Sequence, residues 1–362
     1  MTQGVRACDT VARLGGDEFV VISEDVQEPN DAAILARRLL DLFAAPLDVE
    51  GREIFLSLSI GIGIYPLDGI DTDTLIRHAD IAMYRAKAAG RNGFRFFDPE
   101  MSEGAAERLR LEQELRSALP LDELMLEYQP QVGLPDGGLC GVEVLCRWNH
   151  PRLGLPAPAH FLPMAIDIGL IDQLDLWVLE HACAQLVAWD RGGFRVPRLA
   201  VNLSVHRIQS DGVLEQIQSI LARTGIDPRL ELELIEASIM ERPARTIANL
   251  EQLSALGIGL AVDDFGTGCS SLACIKRLAI RRLKIDRSFI ERLMTGSDDE
   301  VIVQAVIGLA RSLGLVVLAE GVETIAQAEL LIREGCDEAQ GYFFGKAVGP
   351  AELASRYCSR KT

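Results

Sequence analysis

The sequence has little that would bind zinc or build a disulfide framework. Its five histidines do not cluster, and no two of its eight cysteines have the C-x-x-C spacing. Scattered cysteines are typical of small apolar side chains in a reducing cytoplasm, so neither a zinc site nor a disulfide scaffold is expected. Any divalent metal would therefore need oxygen ligands, as Mg²⁺, Mn²⁺ and Ca²⁺ do.

Positive charge is also scarce. Lys and Arg number 36 against 53 Asp and Glu, which gives a formal net charge of -17. Wrapping a long phosphate backbone requires clustered Lys and Arg, so a DNA or RNA polymer is excluded as a partner. A small anionic ligand stays compatible if metal ions or a few local cations reverse the field at one site.

Long apolar runs are missing as well. The longest, such as residues 315–319, have the length of a strand, and the N-terminus lacks the basic and apolar stretches of a signal peptide. We therefore expect a cytoplasmic protein with no membrane segment. The 362 residues, 48% of them hydrophobic, are enough for two domains with sizeable cores.

The first region, residues 1–98, reads as a small α+β domain. Alternating apolar residues predict a hairpin over 11–14 and 19–22 and strands over 54–64 and 94–97, with helices over 31–43 and 75–89. The polar stretch 99–106 reads as a linker. An amphipathic helix over 107–119 then opens the second domain, residues 107–355.

The second region alternates short apolar strands with helices, as an α/β protein of the (β/α)₈ barrel class does. The predicted strands are 124–132, 142–147, 199–203, 230–235, 259–264, 282–286, 316–320 and 337–340. The predicted helices are 172–189, 207–224, 244–256, 270–278, 298–313 and 324–334. A loop of only six residues, 133–138, follows the first strand, so that strand fits an antiparallel hairpin and not a helical crossover.

Polar residues interrupt or follow these strands at matching positions. They are Glu143, Asn202, Glu233, Asp263, Asp264, Lys284, Glu320 and Gln340. In this barrel class the carboxyl ends of the strands converge on one mouth, where so many carboxylates would repel one another unless divalent cations lay between them. The set has enough oxygen ligands for two such ions. The alternative is that each acid merely caps a strand or turn.

At these residues the chain resembles the EAL domain family. The resemblance rests on Y-Q-P-Q-V, G-V-E-V-L-C-R-W-N-H-P, V-N-L-S, E-L-E-L-I-E, D-D-F-G-T-G, L-K-I-D-R-S-F-I, A-E-G-V-E-T and Q-G-Y-F-F-G-K, in that order. It implies a modified (β/α)₈ TIM barrel with an antiparallel first strand. It also implies metal-dependent hydrolysis of cyclic di-GMP to linear pGpG, with two Mg²⁺ or Mn²⁺ ions. Ca²⁺ is expected to inhibit, because its longer bonds and looser geometry would misplace the attacking water.

The resemblance implies roles for individual residues. Glu143, Asn202, Glu233 and Asp263 would ligate one metal, whereas Asp263, Asp264, Glu320 and Gln340 are candidates for the second. Lys284 would steer the attacking water, and Glu320 is either a ligand or a proton acceptor. Contacts with the substrate would come from Gln129, Arg147, Glu323 and Gln340.

Glu236 and the loop 263–268 form a further expectation. Glu236 follows strand four closely, so its carboxylate would anchor the loop that carries Asp263 and Asp264; the alternative is a solvated cap of the next turn. The resemblance places a dimer contact near this loop, so a homodimer through the EAL domain is expected.

The chain departs from the family pattern at a few positions. Val144 replaces the Ala of E-A-L, but it faces away from Glu143 on the strand and should affect packing alone. Cys146 and Cys269, Ile235 and Ala347 are further departures, and none is an expected ligand.

Residues 13–19, R-L-G-G-D-E-F, and the run 59–97 resemble the second half of a GGDEF domain, the diguanylate cyclase module. The signature residues are Gly15, Gly16, Asp17, Glu18 and Phe19. Glu18 would ligate a metal, Lys87 and Arg91 match phosphate-contacting positions, and Arg6 with Asp9 matches the R-x-x-D inhibitory product site. The family's first strand and helix, with its metal-binding Asp, have no counterpart here, so cyclase activity is not expected. Either the natural protein is longer or the segment is a remnant.

Two other functions fit parts of the pattern. A non-catalytic cyclic di-GMP receptor would signal through a protein partner, but such receptors typically lack one or more metal ligands, and here all are present. An unrelated metal-dependent barrel enzyme would not need the full order of motifs. An active phosphodiesterase is therefore the main hypothesis.

Overall fold

A computed structural model of the chain describes residues 4–6, 8–24, 26, 28–43, 47–49, 52–54, 56–90, 92–225, 229–235, 243–266 and 279–358. It divides into two compact units, Met1–Gln113 and Glu114–Thr362. None of the described helices is both long and apolar enough to cross a membrane.

The first unit contains short strands and two helices of its own. Its elements are β1 (Thr10–Gly15), β2 (Glu18–Ile22), α1 (Pro29–Asp41), β3 (Leu47–Val49), β4 (Arg52–Ile54), β5 (Ser59–Ile62), α2 (Thr72–Ala88) and β6 (Gly93–Phe96). The predicted hairpin is confirmed as β1 and β2, and Gly16 turns between them at φ +53°, which suits a residue without a Cβ. The predicted single strand over 54–64 is wrong, because β4 and β5 are separate.

The described strands of this unit form three two-stranded ladders. β1 pairs with β2 and β3 with β4, both antiparallel, while β5 pairs with β6 in parallel. Helix α2 packs so closely on β5 that a Cβ at Gly61 would lie 1.8 Å from the Ala79 carbonyl oxygen. No described strand joins these ladders into one sheet.

Helix α3 (Pro99–Ala118) contains the expected linker and amphipathic helix as one element. It therefore begins eight residues before the predicted start at residue 107. Polar composition alone did not distinguish a helical segment from a linker, since Glu, Met, Ser and Ala all occur in solvent-exposed helices.

The second unit is a closed barrel of eight strands. They are β7 (Leu124–Gly133), β8 (Leu139–Trp148), β9 (Leu199–Asn202), β10 (Leu230–Ile235), β11 (Gly259–Phe265), β12 (Arg282–Ile285), β13 (Val316–Ala319) and β14 (Glu338–Gln340). The strand order is β10-β11-β12-β13-β14-β7-β8-β9. β7 is antiparallel to both β8 and β14, and the remaining neighbours are parallel, as the short loop after β7 predicts.

Helices cover the outside of this barrel. They are α4 (Pro158–Asp167), α5 (Ile171–Arg191), α6 (Val205–Gln209), α7 (Val213–Thr224), α8 (Pro243–Ala255), α9 (Arg287–Glu291), α10 (Asp298–Leu313), α11 (Ile325–Glu334) and α12 (Pro350–Cys358). Outward-facing strand residues pack on them, as where Tyr128 meets Trp189 with ring centroids 4.6 Å apart. Ser297 caps the start of α10, because its side chain accepts a hydrogen bond from Glu300 N. The first turn of α10 also contains three acidic residues, which interact favourably with the helix dipole.

The predicted helix over 207–224 is wrong as one element. The backbone of Ser210 is extended at ψ 152°, so α6 ends there and α7 begins three residues later. Helix α4 was not predicted. Pro158 stands in its first turn, where the missing N–H costs nothing, and Pro163 lies inside it. The helix expected over 270–278 lies outside the described residues.

Candidate active site

The strands of the second unit bring the predicted polar residues to one end of the barrel. Glu143 lies in β8, Asn202 ends β9, Glu233 lies in β10 and Lys284 lies in β12. Residues Glu143, Glu233, Asp263 and Gln340 are buried, and Lys284 has no exposed surface. Carboxylates placed this deep in a barrel need compensating charge.

Lys284 is the cation at the centre of this group. Its Nζ lies 2.7 Å from Glu233 Oε2, 2.7 Å from Glu320 Oε1, 3.1 Å from Asp263 Oδ2 and 3.8 Å from Glu143 Oε1. These carboxylates hold the pKa of Lys284 well above its ordinary value, although burial acts to lower it. One ammonium cannot balance the charge of all four carboxyl groups if they are ionised together.

Glu143 is held by amide side chains on its other side. Asn202 Nδ2 donates to Glu143 Oε1 at 2.7 Å, and Gln340 Nε2 donates to Glu143 Oε2 at 2.5 Å. Gln340 also donates to Gln129 Oε1 at 3.0 Å and accepts from Gln131 Nε2 at 3.0 Å. Gln340 therefore contacts the Glu143 side of the site, which fits its expected substrate role better than ligation of the second metal.

Asp263, Asp264 and Glu320 form a compact acidic cluster. One carboxylate oxygen from each lies within 4.8 Å of the others, a spacing that could hold a metal ion. Asp264 has the left-handed backbone angle φ +55°, which is rare for a residue with a Cβ and aims its side chain differently from that of Asp263. The main-chain N–H of Asp264 donates to Asp263 Oδ1 at 2.9 Å.

The acids of the site resist ionisation in the absence of metal. Burial first, and then the neighbouring acids, raise the pKa of Glu320 to about 8 and that of Asp264 to about 6. Burial likewise raises the pKa of Glu233 well above its ordinary value. A divalent cation would reverse this effect, because it favours the ionised carboxylates.

The donor set fits divalent ions that prefer oxygen. Glu233 Oε1 is buried and has no hydrogen-bond partner among the described residues, so it is available as a ligand. Together with Glu143, Asn202 and Asp263 it supplies carboxylate and amide oxygens, the ligands of Mg²⁺ and Mn²⁺. The compact cluster around Asp264 would supply the second set.

Arg147 lies further along the inner face of β8 than Glu143. Its Nε donates to Glu127 Oε2 on β7 at 2.8 Å, and the two side chains are mostly buried. Glu323, another expected substrate contact, is more exposed and accepts from Arg287 Nη2 at 3.1 Å. Val144 faces away from Glu143, since it pairs with Tyr128 while Glu143 pairs with Gln129.

The described cysteines differ in burial, which corrects the expectation that they are all buried apolar side chains. Cys183 and Cys336 are buried, whereas Cys8 and Cys358 are exposed. Burial raises the pKa of the Cys146 thiol to about 12, which makes it unreactive. Cys269, Thr267 and Glu236 lie outside the described residues, so the loop anchor remains a prediction.

The GGDEF signature residues of the first unit lie on its hairpin. Gly15 ends β1, Gly16 and Asp17 form the turn, and Glu18 and Phe19 begin β2, all exposed. Asp9 accepts hydrogen bonds from Arg6 N at 2.7 Å and from Ser23 Oγ at 2.8 Å, which lower the pKa of Asp9. Lys87 lies near the end of α2, and Arg91 is outside the described residues.

Sequence reasoning missed several charged residues. Glu231, Arg282, Arg198 and Glu338 form a buried network at the amino ends of the strands, with Arg198 Nη2 2.6 Å from Glu338 Oε2 and Arg282 bonded to Glu231. Asp286 shares a hydrogen bond with Asp264 and caps α9 by accepting from Ser288 N at 3.0 Å. The signal available in the sequence was a charge within two residues of a strand end.

Comparison with known proteins identifies the families. The EAL domain matches residues 112–347, and the diguanylate cyclase GGDEF domain matches residues 1–93. MucR of Pseudomonas aeruginosa, a bifunctional diguanylate cyclase/cyclic di-GMP phosphodiesterase, is 47% identical over 96% of this chain and 51% of its own length. The cyclic di-GMP phosphodiesterase NbdA of the same organism is 40% identical over 96% of this chain and 45% of its own. The chain thus spans about half the length of these relatives.

Solved structures agree with the fold. The PaMucR phosphodiesterase in complex with c-di-GMP is 45% identical, with a TM-score of 0.65 over 67% of this chain and 99% of that one. The EAL domain of Mycobacterium smegmatis DcpA is 32% identical, with a TM-score of 0.57 over 67% of this chain and 98% of that one. The family match covers well over half of the residues and coincides with the barrel. The chain belongs to the EAL domain family, and its first 93 residues match part of a GGDEF domain.

Proposed function

We propose that the barrel hydrolyses cyclic di-GMP to linear pGpG with two divalent ions. The observation that carries this proposal is the convergence of Glu143, Glu233, Asp263 and Glu320 on Lys284, with one buried carboxylate oxygen of Glu233 left without a partner. Structural ion pairs do not need this excess of negative charge, whereas metal-assisted phosphodiester hydrolysis does.

The substrate class comes from the relatives. MucR and NbdA are named as cyclic di-GMP phosphodiesterases, and the PaMucR structure contains c-di-GMP. At 47% identity across 96% of this chain, the same substrate is the one we assign to it. A polymer of DNA or RNA does not fit a chain with a net charge of -17.

Two groups of residues would hold the ions. Glu143, Asn202, Glu233 and Asp263 would ligate the first, and Asp263, Asp264 and Glu320 the second. When bound, the pair of ions lowers the pKa of a water and neutralises charge that develops on the phosphate oxygens.

Lys284 and Arg147 would position the reactants. The raised pKa of Lys284 keeps it protonated, so its Nζ can donate to and orient the attacking water. Nε of Arg147 donates to Glu127 and Nη1 donates to the Cys146 carbonyl oxygen at 3.4 Å, so Nη2 is the group that we expect to donate to a phosphate oxygen. In the reaction the water oxygen bonds to phosphorus, one ester P–O bond breaks, and the released ribose oxygen gains a proton.

The direct test is incubation of purified protein with cyclic di-GMP and Mn²⁺ or Mg²⁺, followed by nucleotide chromatography. We expect pGpG to form with either ion, and not in the presence of EDTA. Ca²⁺ should inhibit, because its longer bonds and variable coordination misplace the water. Tight binding of cyclic di-GMP without any pGpG would instead identify a receptor, and full activity with Ca²⁺ alone would contradict the metal assignment.

Glu320 can be assigned by one substitution. If it is a ligand, Glu320→Gln raises the Mn²⁺ concentration needed for half-maximal rate. If it only accepts a proton, the same variant lowers kcat at every Mn²⁺ concentration and removes the limb of the pH profile that reports the general base.

A homodimer and a cytoplasmic location complete the proposal. Light scattering of the purified chain, with and without cyclic di-GMP, tests the dimer.

Glu236 is proposed as the anchor of the loop that carries Asp263 and Asp264. If it is, Glu236→Ala lowers kcat and weakens the binding of the second metal ion, with little change in thermal stability.

A further inference from the structure

We propose that Asp175, on helix α5 outside the acidic cluster, is a positioning residue for Asn202. It would fix the turn after β9 so that the Asn202 side chain faces the carboxylates. The inference rests on the proposed function, in which Asn202 is a metal ligand.

Asp175 is joined to this turn by two hydrogen bonds. Its Oδ2 accepts from Ser204 N at 3.0 Å and from Ser204 Oγ at 2.5 Å. Asp175 is only 7% exposed, so water competes little with these bonds. A charged acceptor makes stronger hydrogen bonds than a neutral one, which suits it to fixing a backbone position.

The turn connects Asp175 to the site through the consecutive residues Asn202, Leu203 and Ser204. Leu203 N donates to the Glu233 carbonyl oxygen at 3.0 Å, and Asn202 Nδ2 donates to Glu143 Oε1 at 2.7 Å. Asn202 itself is exposed, so packing alone does not determine its rotamer. The backbone on either side of Leu203 is therefore held by β10 and by α5, and the direction of Asn202 depends on both.

A buried acid at this place on α5 is costly to the fold. The neighbouring residues Leu174, Val178 and Leu179 are buried and apolar, and burial raises the pKa of Asp175 to about 6. Arg207, which lies in α6 and is also buried, favours the ionised form of Asp175. An apolar residue at position 175 would avoid this cost. We therefore attribute the acid to its hydrogen bonds with Ser204.

The competing explanation is purely structural. Ser204 caps α6 by accepting from Arg207 N at 3.2 Å, and Asp175 could serve only to orient that cap. Both explanations predict lower stability when Asp175 is replaced. Only the positioning role predicts weaker metal binding at equal stability.

The experiment compares Asp175→Ala, Asp175→Asn and the control Val178→Ala in the full chain. Val178 is buried on the same helix, and its truncation lowers stability without touching Ser204. Calorimetry gives the Mn²⁺ affinity without substrate, and initial rates give the Mn²⁺ concentration for half-maximal hydrolysis. We expect Asp175→Ala to weaken Mn²⁺ binding by about 10- to 100-fold, as loss of a group behind a metal ligand does.

The other variants sharpen the result. Asp175→Asn keeps one acceptor and should lose less affinity, saturating Mn²⁺ should restore much of kcat, and Val178→Ala should bind Mn²⁺ like the wild type. Ser204→Ala removes the Oγ bond to Asp175 and the cap bond from Arg207 N, but it keeps the bond from the Ser204 main-chain N–H to Asp175. It should therefore show a smaller loss of Mn²⁺ affinity than Asp175→Ala, and it serves if Asp175→Ala fails to fold. Wild-type Mn²⁺ affinity in both Asp175→Ala and Ser204→Ala, or an equal loss in Val178→Ala, would overturn the proposal.

The wild-type protein separates this inference from the proposed function. If it binds Mn²⁺ but does not hydrolyse cyclic di-GMP, the proposed reaction fails while the comparison of Mn²⁺ affinities still decides the role of Asp175. If it binds no Mn²⁺, both are wrong.

Discussion

At the scale of single residues, Glu143 connects the ammonium of Lys284 with the side-chain amides of Asn202 and Gln340. It accepts from Asn202 and Gln340 and lies 3.8 Å from the ammonium of Lys284. Glu143→Gln keeps the size and shape of the side chain but removes the charge. We expect hydrolysis to fall by at least about 100-fold, since a neutral amide is a poor ligand for Mg²⁺ or Mn²⁺.

The control for this variant is its thermal unfolding in EDTA, which should match or exceed that of the wild type because a repelling carboxylate has been lost. Near wild-type turnover with Mg²⁺ would show that Glu143 is not a metal ligand.

Glu127 is a second residue whose role can be isolated. It holds Nε of Arg147 at 2.8 Å, and we expect Arg147 to bind a substrate phosphate. Glu127→Ala should raise KM by about tenfold and leave kcat nearly unchanged. The reason is that the mutation removes a charged hydrogen bond, of about 1.4 kcal/mol, that orients Arg147 for binding the substrate phosphate.

Steady-state rates at saturating Mn²⁺ measure KM and kcat separately. Glu127→Gln is the matched variant, because it retains an acceptor for Nε of Arg147. A fall in kcat at constant KM would place Glu127 in the chemical step instead.

At the scale of elements, the barrel has different charge arrangements at its two ends. At the amino ends of the strands, Arg198 and Arg282 pair with Glu231 and Glu338, two cations with two anions. At the carboxyl ends, the described carboxylates of Glu143, Glu233, Asp263 and Glu320 surround the ammonium of Lys284. We expect the balanced end to serve stability and the acidic end to bind divalent cations.

Replacing Arg282 tests this division. Arg282→Met removes one partner of a buried network and leaves Glu231 and Glu338 short of a cation. We expect a loss of about 3–5 kcal/mol in the free energy of unfolding, because an uncompensated buried charge remains. Chemical denaturation measures the loss, and the Mn²⁺ affinity of the folded variant should stay at the wild-type value. A stable variant with weak Mn²⁺ binding would contradict the separation of the two ends.

At the scale of the whole molecule, the acidic site links stability to pH and metal. The folded-state pKa of Glu320, about 8, and of Asp264, about 6, lie above those of the unfolded chain. Between about pH 4.5 and 8 the folded protein therefore holds protons that the unfolded chain has released, so stability decreases as the pH rises.

In EDTA we expect Tm to fall between pH 5 and pH 8.5, and saturating Mg²⁺ should remove most of that fall, because the ions bind the ionised carboxylates. Differential scanning fluorimetry at several pH values measures it, with Glu320→Gln as the variant that should show a shallower slope in EDTA. A Tm in EDTA that rises over this range would show that other groups dominate.

The first unit is expected to make no cyclic di-GMP from GTP and Mg²⁺. Its signature residues are exposed on a hairpin, and among the described residues the only candidate metal cluster of three acids lies in the second unit. Nucleotide chromatography after incubation with GTP tests this, using Glu143→Gln so that any product survives. Measurable synthesis would show that the signature hairpin is sufficient.

The sequence by itself determined the barrel and singled out the acids that the structure gathers around Lys284. All eight strands occur within three residues of their predicted ends, because each is a short apolar run bounded by turn residues, and the antiparallel β7 follows from a loop too short for a crossover. The site residues were visible because a charge at the end of an apolar strand is conspicuous.

Only the tertiary structure decided which of these charges meet. Lys284 and Glu233 are 51 residues apart, yet their contact at 2.7 Å depends on β11 lying between β10 and β12 in the closed barrel. The pairing of Arg147 with Glu127, the balanced network around Arg282 and the link from Asp175 to Ser204 likewise join separate elements. Sequence periodicity reports local backbone geometry and burial, whereas the partner of a buried charge is set by packing between elements distant in the chain.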